Sequence, residues 1–105
     1  MIVSRKIAKL LKRLGYNELT VDEYWMNYET PQKYIEAELI GIKPEFRLPA
    51  PKPYDALTWL AKFHNAKFVI EKNYCQIIGL GKCVEKYGAE PDVAIIMCLE
   101  KLVEN

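Results

Sequence analysis

What the chain lacks narrows its function more than any motif it holds. It has one histidine, His64, and three cysteines, Cys75, Cys83 and Cys98, none of them spaced C-x-x-C. A metal centre or a general base needs partners at usable spacing, and none stands near His64, so no metal, cofactor or catalytic residue is expected. An odd cysteine count without paired spacing argues against a disulfide framework and fits reduced thiols in a cytoplasm, including that of a host cell. No apolar run approaches the ~18 residues of a membrane span, and the N-terminus lacks the apolar region of a signal peptide. No membrane role is expected.

Two further absences dispose of tempting motifs. "GLGK" at 79–82 resembles a phosphate loop, but Gln76 and Cys83 stand where that loop needs glycine and serine or threonine. It reads as a strand ending in a turn. The prolines of "LPAPKPY", residues 48–54, are never three apart, so no P-x-x-P ligand is present. Pro53 instead suits the first position of a helix, where its missing N–H costs nothing.

What is present is ordinary globular composition. Half of the 105 residues are apolar and 28% are charged, with a formal net charge of +1. A chain of this size reads as one domain, 1–105, burying roughly 65% of its unfolded surface. The charge is unevenly spread. Residues 1–17 carry Arg5, Lys6, Lys9, Lys12 and Arg13 with no acid, whereas residues 18–45 carry seven acids against Lys33 and Lys43.

Periodicity predicts a helix over 4–14, capped by Ser4, closed by Gly15, with Ile7, Leu10, Leu11 and Leu14 on one face and the five cations opposite. "YIEAELIGI" alternates as a half-buried strand, with Glu36 and Glu38 on its wet face. It would pair with "YWMNY" across residues 29–32. Thr20 and Glu23 also spell a capping box, so residues 21–28 are open between strand and helix. A helix from Pro53 carries Ala56, Leu57, Leu60, Ala61 and His64 on one face, and its C-terminal end suits an imidazole. "KFVIE" and "YCQIIGL" form a hairpin across Lys72-Asn73. Cys83, beside Lys82 in an expected loop, is the one thiol placed to react. The last helix begins near Pro91, and "VAIIMCL" makes it apolar on nearly all sides. The order is helix–hairpin–helix–hairpin–helix, an α+β fold with antiparallel sheet packed by helices.

"AKLLKRLGYNE", "LPAPKPYDALTWLAKFHNAKFVI" and the apolar helix after "EPDVA" resemble a group of small uncharacterised proteins of bacterial phages, prophages and related mobile elements. The anchors are Ala50, Pro51, Trp59, Leu60 and, more loosely, Ala94. Lys52 stands where that group has threonine. The resemblance implies no activity and carries over no functional residue.

The resulting expectation is a non-enzymatic accessory protein that acts by protein–protein contact with an unidentified partner. It would be a homodimer through Val93, Ile96, Met97 and Val103 of the last helix. The alternative is nucleic-acid binding through Arg5, Lys6, Lys9, Lys12 and Arg13, with Tyr24, Trp25 and Tyr28 as stacking surfaces.

Overall fold

A computed structural model describes residues 1–104. It shows an α+β fold with two three-stranded antiparallel sheets. Contacts divide the chain into two compact units, residues 2–51 and residues 52–104.

The first unit opens with α1 (Arg5–Arg13), where the Ser4 side chain accepts from the Ile7 N–H. Gly15, at φ 101°, lets Tyr16 N–H reach Leu11 O and Gly15 N–H reach Lys12 O. Both orphan carbonyls are thereby satisfied in a Schellman closure. Ile7, Ala8, Leu10 and Leu11 are the buried stripe. β1 (Asp22–Trp25) then lies between β2 (Gln32–Lys33) and β3 (Arg47–Pro49). Residues 22–25 are therefore strand. Thr20, the would-be helix cap, instead donates to Asp22 O and accepts from Ala50 N–H, which ties the start of β1 to the end of β3.

The hairpin after β1 is short, with Asp22 opposite Lys33 and Glu23 opposite Gln32, and there the expected strand fails. "YIEAELI" is a helix, α2 (Tyr34–Ile40), followed by Gly41 at φ 77° and a 3-10 turn at Pro44–Phe46. Glu36, Ala37, Glu38 and Leu39 are all good helix formers, and a short apolar alternation does not separate the two periods. A residue that ends the helix in the left-handed region is also present as Gly41.

The second unit begins with α3 (Pro53–His64), with Pro53 in its first turn. Its N-cap, Lys52, makes no side-chain capping bond. Asn65, left-handed at φ 54°, closes it by donating its N–H to Leu60 O. β4 (Lys67–Glu71) and β5 (Tyr74–Gly79) pair across Lys72-Asn73 as expected. A third strand was not anticipated. β6 (Lys82–Tyr87) follows Leu80 and Gly81, both at positive φ, in a two-residue turn. Cys83 thus lies on a strand rather than in a loop. α4 (Pro91–Val103) packs on this sheet and against α3, burying Ala94, Ile95, Cys98, Leu99 and Leu102. Gly88 allows the approach: a Cβ there would stand 2.6 Å from Ala94 N.

Cys75 and Cys98 meet in this core, and the Cys98 thiol donates to Cys75 O at 3.0 Å. Burial pushes the Cys75 thiol up to about 12 and raises Cys98 as well. Folding therefore favours the neutral thiols. The Cys75 contribution is whole below the ordinary value of 9.0 and is lost as pH rises towards about 12. Cys83 is exposed. Ellman's reagent at neutral pH is expected to titrate one thiol quickly in the folded protein and all three in denaturant. Rapid reaction of two or more in the folded state would contradict this core.

Candidate protein-interaction surface

The surface begins with a buried cation. Arg47, on β3, grips Glu23 on β1 with both arms, Nε to Oε1 at 2.8 Å and Nη2 to Oε2 at 3.1 Å. Its remaining nitrogen, Nη1, donates to Glu38 of α2 at 3.1 Å and to the Ile42 carbonyl at 3.2 Å. Trp25 Nε1 completes the cluster on Glu23 at 3.3 Å. Both Glu23 and Arg47 are buried, and bonding to Glu23 raises the arginine's pKa further. The guanidinium also lies over the Tyr34 ring, 5.1 Å from its centroid. Partial burial and the Glu38 carboxylate raise the Tyr34 hydroxyl's pKa in turn.

These polar contacts hold α2 by one side, and Ala37 is its only buried residue. At about 100° per residue, Ile35 and Leu39 lie together on the opposite side. They are 61% and 79% exposed, and Ile40 is 64% exposed. A seven-residue helix thus turns its apolar face to water, the reverse of the usual amphipathic arrangement. Just after α2, the segment from Gly41 onward contributes to a mainly apolar cleft of about 310 Å³, whose lining also includes Asn27 and Lys43. Gly41, Ile42, Phe46, Trp25, Met26 and Tyr28 line it. Met26, Tyr28 and Phe46 are exposed large side chains, and Tyr28 meets Trp25 edge-on at 5.2 Å. Exposed apolar groups gathered in this way make this the candidate interaction surface.

A second cleft, of about 240 Å³, lies on the polar side of the cluster and includes Lys12, Tyr16, Tyr34, Glu38 and Arg47. Of its charged groups, Lys12, Glu23, Glu38 and Arg47 bond one another or the backbone. Glu36 and Glu38, read as the wet face of a strand, therefore separate: Glu36 is exposed on α2 and Glu38 is held by Arg47.

The basic face of α1 is smaller than its sequence suggests. Arg5 donates to Trp25 O and Tyr28 O and lies over the Tyr24 ring. Lys12 donates to Pro44 O at 3.2 Å and Arg47 O at 2.9 Å. Lys12 is nevertheless exposed, as are Lys6, Lys9 and Arg13. Tyr24 and Trp25 are buried, so of the three expected stacking rings only Tyr28 is open to solvent. On α4, Val93, Ile96 and Val103 are half-buried and Met97 is 39% exposed. His64 lies in the last turn of α3, with its ring 5.1 Å from that of Trp59. Among the described residues no group of three histidine, cysteine or carboxylate side chains could hold a metal, and no helix is long and apolar enough to cross a membrane.

The α2 surface was missed in the sequence because Ile35 and Leu39 share a face in both a strand and a helix. The signal that could have found it is Gly41, a helix stop placed directly after the run. No family model, curated protein or solved structure matches the chain.

Removing Arg47 would leave the buried Glu23 carboxylate without its cation, with Trp25 Nε1 as a remaining donor. Arg47→Ala is expected to cost about 3–5 kcal/mol of stability in urea unfolding. Glu38→Gln, at a half-exposed partner, should cost under about 1 kcal/mol. Equal costs would show that Arg47 acts through α2 rather than through Glu23.

Proposed function

We propose that the protein is a non-enzymatic accessory protein of the kind that phages and mobile elements encode, working by contact with another protein. The observation that carries this reading is α2, whose polar side is fastened to Arg47 while Ile35, Leu39 and Ile40 face water. Apolar groups so placed add nothing to the fold. Covering them with a partner would contribute on the order of 25 cal/mol for each Å² removed from water. The adjoining cleft, with Trp25, Tyr28 and Phe46 on its walls, offers a seat for an anchoring side chain of the kind that dominates binding energy. Self-association belongs to the same reading, and Met97 with its half-buried neighbours on α4 is one surface for it.

The test uses the protein as bait in the cells that produce it, beside an Ile35→Glu, Leu39→Glu double variant. Both positions are exposed, so the variant's unfolding free energy should stay within about 0.5 kcal/mol of the parent's. A partner retained by the parent and lost by the variant is the expected result. A partner retained equally by both would move the contact elsewhere.

Nucleic-acid binding is the less favoured reading, because Arg5 and Lys12 already bond the protein's own carbonyls. If Lys6, Lys9 and Arg13 alone met phosphates, the log–log salt slope would be about −2.7. Affinity would then fall about 40-fold between about 50 and 200 mM salt. Fluorescence anisotropy is expected to show no steeper dependence, and no micromolar binding at the higher salt. A slope near −4.5 would restore all five cations to the interface.

A further inference from the structure

We infer that a second copy of the chain pairs with the free edge of β4, antiparallel and two-fold symmetric about Val69, so that two three-stranded sheets join as one. The inference rests on the reading that the protein self-associates, and it names a surface other than α4.

The register within the sheet decides which backbone groups are free. Glu71 opposes Tyr74 across a two-residue connection, so Glu71 and Tyr74 exchange both backbone bonds, as do Val69 with Gln76 and Lys67 with Ile78. Phe68 and Ile70 therefore aim their N–H and C=O groups away from β5. No strand lies on that side, since the order is β4-β5-β6. An open edge of this kind is a template for another strand unless something blunts it.

The side chains of β4 suit that template. Its sequence, Lys67-Phe68-Val69-Ile70-Glu71, reads cation, apolar, apolar, apolar, anion. In a two-fold antiparallel register centred on Val69, Lys67 stands opposite Glu71 of the partner subunit, and Glu71 opposite the partner's Lys67. Phe68 and Ile70 then form the hydrogen-bonded pairs, which are the residues whose backbone groups are free. Val69 meets Val69 of the partner subunit at the non-bonded position, where side chains approach most closely. Val69 is 47% exposed in the single chain. The alternation is preserved as well. Lys67, Val69 and Glu71 lie on the exposed face of both copies, and Phe68 and Ile70 on the half-buried face.

The other edge, β6, has the opposite character. With β5 its bonded residues are Lys82, Val84 and Lys86, which leaves the backbone of Cys83, Glu85 and Tyr87 free. Two-fold pairing about Val84 sets Lys82 against Lys86 of the partner subunit, and pairing about Glu85 sets that carboxylate against its own copy. Like charges directly opposite are destabilising. One edge repels a copy of itself and the other attracts one.

Sedimentation velocity over a series from roughly micromolar to roughly millimolar protein tests the pairing. Lys67→Glu and Glu71→Lys should each raise the dimer dissociation constant roughly tenfold, because each sets two like-charge pairs opposite one another. The double variant K67E/E71K restores opposite charges and should recover the parent's value, which separates the pairing from any effect on folding. Amide exchange at Phe68 and Ile70 should also slow as concentration rises. A dimer indifferent to all three variants and lost on Met97→Glu would overturn the β4 interface and leave self-association through α4. A monomer throughout the series would overturn both.

Discussion

A guanidinium cannot lose its proton to escape burial, so wherever Arg47 is placed its donors must find acceptors. That constraint organises residues 2–51. Two arms of the fork meet both oxygens of Glu23, which fixes β3 beside β1, and the third nitrogen reaches Glu38 and the Ile42 carbonyl. Lys12 reinforces the arrangement from α1 by capping the carbonyls of Pro44 and Arg47. Desolvating these charges is costly, and the bidentate geometry with its additional acceptors is what offsets that cost.

Fastening α2 by charge has a consequence for its other face. A surface helix normally hides an apolar stripe, and the stripe then determines which side faces the core. Here Glu38, Tyr34 and small Ala37 occupy the inward side, and Ile35 and Leu39 have nowhere to go but outward. Residues 52–104 follow the more common rule. Leu57, Leu60, Ile77, Ile95 and Leu99 form a fully buried apolar core between helices and sheet. What remains open there is backbone at the sheet edges, and the charges along each edge determine how it responds to another strand.

The α+β fold was legible from the sequence wherever one period stood alone. The Ser4 cap and the stripe of α1, Pro53 and Pro91 at their helix starts, and the β4–β5 hairpin all followed from local chemistry that tertiary contacts had no cause to override. "YIEAELI" could satisfy either period, so it could not be read locally. β6 was hidden because the apolar residues of "KCVEKY", Cys83, Val84 and Tyr87, do not alternate with the polar ones, and because Leu80 adopts a left-handed conformation unusual for its side chain. The basic face of α1 was legible as five cations on one side of a helix. The two that turn back to the protein's own carbonyls were not, since those carbonyls come from residues 25–47.

By itself, then, the sequence determined the helix and strand segments whose caps, prolines and periodicity agree. Backbone hydrogen bonding and side-chain alternation act over a few residues, so neighbours suffice to express them. Only the tertiary structure decided that Arg47 and Glu23, 24 residues apart, would share a buried pair, that α2 would face outward, and which backbone groups of β4 would be left unpaired. Each of those depends on the energy of desolvating one group beside another that is distant in the chain.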